Sequence, residues 1–389
     1  MKIVELTAFL VRIPLRKAIT HASRTRRETD NIVVRCKLEN GNVGYGEGLP
    51  REYVTGDSAD SAIELLQKTD LKAQLPDCRD YAQALAAAEA LRLAPIPGDD
   101  RDCQGNAARC ALELAVLDAY GRAFGEPLSN AAKMLAPEIY EFKPWVRYSG
   151  AITSARGMKA RLAAWKMWIY GFKQLKIKVG IEGHDDAARL RSIRKRTGKK
   201  MDLRIDANEA WSAANAVEKI TELEPYGITS VEQPIPHTEV AALPSIRKQV
   251  KTPIMLDESL CGKIDAERGI QSGSCDLFNI RLSKCGGFIP SLRLAQLAKK
   301  AGLGYQLGCM VGETAILSAA GRHFACGVND IRYLEGSYDR HLVLVTLNRG
   351  DLTFRWGGWA PALNGIGLGF DFDADMLEHV TLRKEPLIG

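Results

Sequence analysis

The sequence predicts an α/β protein in which a parallel β/α barrel follows an α+β unit. Three observations carry this expectation. Eight short β-rich runs alternate with amphipathic helical stretches from about residue 143 to residue 337. Ahead of them, strand-like residues 1–48 give way to a helical region from about 57 to 125. The 389 residues exceed what one ordinary core requires, which suits two cooperating domains.

In the first unit KIVELTAFLVRI (2–13) alternates apolar and polar residues, and NIVVRCKLENGNVGYGEG (31–48) reads as two β runs. Asn40-Gly41 signals a two-residue hairpin turn between them. A polar loop, Arg16 to Asp30, is expected between the first two strands, carrying Arg24, Arg26 and Arg27. The strongest helix is NAARCALELAVLDAYGRAFG (106–125), apolar at helical spacing and stopped by Gly125.

The eight later runs are KPWVRYSGA, QLKIKVG, MDLRIDAN, GITSVEQP, TPIMLDES, CDLFNIRLSK, LGYQLGCM and DIRYLEGS. The Trp- and Gly-rich tail breaks their rhythm and is expected to pack back on the first unit. The expected division is therefore a capping unit, 1–130, a barrel, 131–355, and a C-terminal segment, 356–389.

Composition excludes several classes. With 46% hydrophobic and 26% charged residues the chain is neither disordered nor fibrous. A net charge of +6 tolerates anionic small molecules but is too weak to imply nucleic acid. No apolar run approaches about 18 residues, so no membrane helix is expected. Nine cysteines without a CxxC pair suggest free thiols; Cys36, Cys103, Cys110, Cys261 and Cys326 fall mostly in apolar runs. With no signal-peptide core at the start, a cytoplasmic location is expected.

The chemistry sits at the ends of the middle runs. The last polar residues are Lys176 and Lys178, then Asp206, Glu232, Asp257 and Lys284. From Lys178 onward they lie 28, 26, 25 and 27 residues apart, one β/α repeat each, so they share the C-terminal face of a barrel, where active sites are built. Three carboxylates on neighbouring strands would repel without a cation. A hard divalent ion resolves this: Mg2+, with Mn2+ as the alternative, whereas zinc would favour His or Cys ligands. Lysines on the second and sixth strands would flank a bound substrate from opposite sides. Lys176 and the metal should depress the pKa of Lys178. Such a set suits removal of a proton α to a carboxylate through an enediolate.

KIKVG (176–180), DANEAW (206–211), VEQP (231–234), DES (257–259) and SKCGG (283–287) closely resemble the muconate lactonizing enzyme subgroup of the enolase superfamily. The helix 107–128, the hairpin and the early loop look like that family's cap. The resemblance implies a modified (β/α)7β TIM-like barrel with an α+β capping domain. It implies Lys178 and Lys284 as the acid/base pair, Lys176 as a support, and Asp206, Glu232 and Asp257 as ligands of Mg2+. The family's early loop closes over substrate, which makes His21, Arg24 and Tyr53 candidate contacts, with Glu335 at the end of strand eight. The mandelate racemase branch expects a His near strand seven, and GYQLGCM (304–310) offers none.

Members of this subgroup cycloisomerise muconate, racemise or epimerise N-acyl amino acids and dipeptides, or dehydrate to o-succinylbenzoate. Dipeptide epimerases carry Asp-x-Asp near the end of strand eight, where this chain reads Tyr333-Leu334-Glu335. A muconate cycloisomerase-like isomerase is the first expectation, a racemase or epimerase the second, a synthase-type dehydratase the third. A non-catalytic metal-binding barrel is the reading of a different class, and opposed lysines would have no use in it. The expected partner is a small-molecule carboxylate, with no nucleic acid and no membrane, and a homo-oligomer is expected. The basic run 189–200 reads as a solvated helix face, Gly365, Gly367 and Gly369 as a turn, and His237 as a bystander.

Overall fold

The computed structural model describes the backbone of residues 1–21 and 24–389, and the side chains of these except residues 19–25. Its first unit contains β1 (Ile3–His21), β2 (Arg24–Leu38) and β3 (Val43–Gly48), followed by the helices Ala59–Lys68, Tyr81–Ala90 and Asn106–Phe124. Of the segment expected as a polar loop, residues 16–21 and 24–30 are instead strand: β1 and β2 pair far beyond the core, with Arg12 opposite Asp30 and Ile19 opposite Arg26. Such a ribbon buries little, so it can be polar along its length; Arg12 and Asp30 hold it by a 2.8 Å cross-strand ion pair. The hairpin at Asn40-Gly41 is present, but its connection spans Glu39 to Asn42 rather than two residues.

The alternate glycines of β3 explain how the cap packs. A Cβ on Gly44, Gly46 or Gly48 would run into the main chain of the helix Asn106–Phe124 at Ala119, Ala111 and Ala107 respectively. Every second residue of a strand thus meets every fourth residue of a helix, both at minimum bulk. That helix ends where expected, with Gly125 in the left-handed conformation at φ 74°.

The second unit begins with a short β4 (Trp145–Arg147). Next come β5 (Gly150–Ile152), β6 (Gln174–Lys178), β7 (Asp202–Asp206), β8 (Ile228–Glu232) and β9 (Ile254–Leu256). The series ends with β10 (Leu277–Ile280), β11 (Gly304–Leu307) and β12 (Ile331–Leu334). Strands β5 to β12 form one parallel eight-stranded sheet in sequential order. It curls into a TIM-like barrel, closed by Ser149 N donating to Leu334 O at 2.8 Å. The first expected β run is split, since β4 pairs antiparallel with β13 (Trp359–Pro361) outside the barrel. In the tail, β14 (Thr381–Ile388) pairs with β1, giving the cap sheet the order β14-β1-β2-β3.

Two buried carboxylates fasten cap to barrel. Glu47 on β3 accepts from Thr314 N at 3.1 Å and Leu317 N at 3.2 Å, at the start of the barrel helix Ala315–Gly327. Glu113 likewise accepts from Phe288 N and Ile289 N, at the start of the helix Phe288–Lys300. Each anion meets the unpaired N–H groups and positive end of a helix, and burial pushes both carboxyls up to about 7. The nine cysteines are free, and eight of them are buried. Among the described residues no helix is long and apolar enough to cross a membrane.

Candidate active site

Strand register brings the expected residues together at one barrel rim. Lys178 lies opposite Asp206, Asp206 opposite Glu232, and Glu232 opposite Met255, two residues before Asp257. All three carboxylates are buried. Lys284 enters differently from the expectation: it lies in the turn after β10, which ends at Ile280. Its ammonium turns back to Asp257 O at 2.6 Å, Asp257 Oδ1 at 2.8 Å and Asn279 O at 3.0 Å. In the strand order β6 and β10 stand four apart, half the circuit of eight. Lys178 and Lys284 therefore face the carboxylates from opposite sides.

Cations hold this anionic group. Lys176 Nζ lies 2.9 Å from Asp206 Oδ2, 2.8 Å from Glu232 Oε1 and 3.4 Å from Glu335 Oε1. Arg281 bridges the other side, contacting Glu232 Oε1 at 3.3 Å and Asp257. Burial and the neighbouring Asp206 push the Glu232 carboxyl up to about 8. Asp257 is held below its ordinary value: burial acts upward, but Arg281 and Lys284 outweigh it. Lys178 is lowered as expected, yet by burial first, with Lys176 and Arg281 adding to it. Lys284 is raised, because Asp257 overcomes the downward effect of burial.

Among the described residues no three His, Cys, Asp or Glu side chains converge into a metal cage, because Lys176 and Arg281 stand between the carboxylates. The donor set nonetheless fits a hard cation. It is all carboxylate oxygen, and burial with the neighbouring Asp206 pushes the Glu232 carboxyl up, a rise that an added cation would relieve.

Several site residues escape the sequence reading. Gln233 adopts φ 35° just past β8. Its Oε1 accepts from Asp257 N at 3.0 Å and Ser259 N at 3.1 Å, wiring the β9 loop to β8. Asn279 donates to Glu232 Oε1 at 2.8 Å. Arg189, in the run expected to be a solvated face, is buried and donates to the carbonyls of Lys178 and Thr153. Arg204, two residues before Asp206, points into the barrel and pairs with Glu335 at 2.5 Å. Strand alternation could have flagged Arg204, since it shares the interior face with Asp206. His237, read as a bystander, keeps that reading: its partner is Glu209, through Nδ1 at 2.7 Å.

Of the expected substrate contacts, Glu335 does reach the barrel interior beside Lys176. Tyr53 lies near the ribbon, its ring under the Arg26 guanidinium at 5.4 Å. The side chains of His21 and Arg24 lie outside the described residues.

Residues 159–376 match the family model for the enolase C-terminal domain-like fold. The chain is 33% identical to the L-Ala-D/L-Glu epimerase of Bacillus subtilis (strain 168), over 95% of this chain and 97% of the relative. Among solved structures, the N-succinyl Arg/Lys racemase from Bacillus cereus ATCC 14579 superposes with a TM-score of 0.86 at 25% identity, covering 99% of this chain and 100% of that one. A dipeptide epimerase from Cytophaga hutchinsonii, complexed with Mg and the dipeptide D-Ala-L-Val, gives 0.84 at 28% identity, with both chains fully covered. A capped barrel with two lysines opposed across buried carboxylates, in company with such relatives, is an isomerase. The chain belongs to the enolase superfamily.

Proposed function

We propose that the protein inverts the configuration at the α-carbon of an N-acylated amino acid by moving the α-proton between two lysines. The observation that carries this reading is the opposition of Lys178 and Lys284 across Asp206, Glu232 and Asp257. One lysine removes the proton from one face of the α-carbon, leaving an enediolate, and the other returns a proton to the opposite face. Burial lowers Lys178, which favours the neutral form that accepts a proton. Asp206, Glu232 and Asp257 would hold Mg2+, or Mn2+, which supplies positive charge to the substrate carboxylate as the enediolate forms. Lys176 and Arg281 fix the carboxylates from either side.

Relatives named as epimerases and racemases favour this outcome over the cycloisomerase placed first from sequence. Among their substrate types, the Glu335 surroundings favour an acyl group without a free ammonium. Glu335 is the one carboxylate in the Tyr333-Leu334-Glu335 segment, and Arg204 and Lys176 already neutralise it. These cations outweigh the upward effect of burial and hold its pKa near about 2. A substrate ammonium would find no spare anion there and would meet two cations.

The test is proton NMR in D2O with Mg2+, across N-succinyl and N-acetyl amino acids, dipeptides and muconate. Loss of the α-proton signal with configuration scrambled, fastest for the acylated amino acids, is the expected result. Faster exchange with dipeptides would overturn the substrate class. Ring closure of muconate without exchange in any amino-acid derivative would overturn the reaction.

A further inference from the structure

A pair of cysteines at the joint between cap and barrel has no part in the proton chemistry. Cys103 lies in the cap just before the helix Asn106–Phe124, and Cys261 four residues after Asp257. They lie in the same joint: the Cys261 sulfur is 3.8 Å from Val54 O, and that of Cys103 is 3.9 Å from the adjacent Thr55 O. Their two segments run side by side, since a Cβ on Gly262 would sit 3.6 Å from Asp102 O. Arg101 locks the arrangement, donating to Glu258 O and Asp265 Oδ2 at 2.7 Å each and approaching the Cys261 sulfur at 3.4 Å.

We propose that Cys103 and Cys261 form an oxidisable dithiol, which a peroxide converts into a disulfide joining the cap to the barrel loop beside Lys284. The surroundings of the two thiols make them unequal. Cys261 is lowered by Cys103, Lys284 and Arg101, whose guanidinium lies 3.4 Å from its sulfur, and Cys103 is raised by Cys261 and by burial. Cys261 is therefore the better thiolate and the first nucleophile.

In the first step the Cys261 sulfur attacks one peroxide oxygen and the O–O bond breaks. This leaves a sulfenic acid and a hydroxide that takes up a proton as water. In the second step the Cys103 sulfur, giving up its proton, attacks the Cys261 sulfur; the S–O bond breaks and a second water leaves. The two thiols supply both electrons, and the peroxide is reduced to two waters. Both side chains are buried, but a cavity of about 1050 Å³ is lined by Asp102, Gln104, Gly105 and Gly262, the sequence neighbours of both. Solvent thus comes within a residue of each thiol.

The cross-link would be felt at Lys284. The Asn106 side-chain amide donates to Cys261 O and to Lys284 O, both at 2.7 Å. A cross-link at Cys261 constrains its main chain, including the carbonyl that shares this amide with Lys284.

The experiment is peroxide treatment of the full chain, followed by non-reducing peptide mapping and thermal unfolding. A Cys103–Cys261 linked peptide, two hydrogens lighter than its parts, is expected, with a Tm higher by about 5 °C that dithiothreitol reverses. Cys103→Ser and Cys261→Ser should each abolish the linked peptide, and Cys285→Ser should leave it. Either of two results overturns the proposal: Cys261 linked to Cys285, or Cys103 still reduced at a dose that oxidises the half-buried Cys309. Neither readout depends on the substrate.

Discussion

Arg204 and Glu335 form an ion pair wholly inside the barrel, Nη2 to Oε1 at 2.5 Å, with Arg204 fully buried. The pair follows from strand geometry. Arg204 is on the same face of β7 as Asp206, and Glu335 directly follows β12. The guanidinium also lies over the Tyr333 ring at 4.7 Å. Its Nε and Nη1 have no hydrogen-bond partner among the described residues. Desolvation therefore weighs heavily on this pair, and it contributes position more than net stability.

That asymmetry sets the first prediction. Arg204→Met removes one partner and leaves Glu335 to Lys176 alone, costing about 3 kcal/mol. Arg204→Met with Glu335→Leu removes both charges and should recover most of the loss. Denaturant unfolding of the two variants checks it. A double variant no more stable than the single would mean that the pair is not self-compensating.

The lysines and carboxylates separate by the quantity they change. Lys284→Ala should retain Mg2+ affinity in calorimetry yet lose at least about 10²-fold in turnover. Asp257→Asn should weaken Mg2+ itself, because it removes a charged oxygen donor. Full activity in the first variant would sink the two-lysine scheme. Unchanged metal affinity in the second would remove Asp257 from the ligand set.

The ionisable residues at the barrel rim were legible because the repeat of strand and helix places their register in the sequence itself. Lys178, Asp206, Glu232 and Asp257 recur once per repeat and meet across adjacent strands. Arg204 was open to the same reading by strand alternation, whereas Asn279 and Arg281 were not legible for the opposite reason. Their roles lie in partners 47 and 24 residues away, which no local pattern reveals. Arg189 was misread because a basic helix looks solvated until the strand end it reaches is known. In the cap, the ribbon of β1 and β2 was hidden by its polarity, since strands with little buried face lose the alternation that announces them. The glycines of β3 were visible, but their meaning depended on the helix laid against them.

Those glycines give the third prediction. Gly46→Ala would place a Cβ 2.5 Å from Ala115 N and against Ala111 O, both main-chain atoms that cannot swing away. The sheet and helix must part, at a cost of about 3 kcal/mol. Gly41→Ala is the control: its Cβ meets nothing within 4 Å, so only the φ of 86° opposes it, at about 1 kcal/mol. Equal unfolding midpoints for the two variants would contradict the packing argument.

His323 gives a prediction in pH. It is buried in the helix Ala315–Gly327, with Nε2 donating to Leu368 O at 3.1 Å, and burial aided by Arg322 pushes it down to about 4 from 6.5. Between those values the unfolded chain holds a proton that the folded chain refuses. Stability from His323 is therefore complete above about pH 6.5 and is lost as pH falls towards 4, with an upper bound of about 3 kcal/mol. Glu47 and Glu113, raised to about 7, act in the opposite sense: their contribution is present at low pH and fades as pH rises through 7. The wild-type curve sums these effects, so the informative quantity is its difference from His323→Gln, which keeps a donor for Leu368 O and has no proton to refuse. That difference should shrink as pH falls from 7 to 4 in chemical unfolding. A difference constant over this range would show that His323 titrates alike in the folded and unfolded chain, contrary to the downward push of burial.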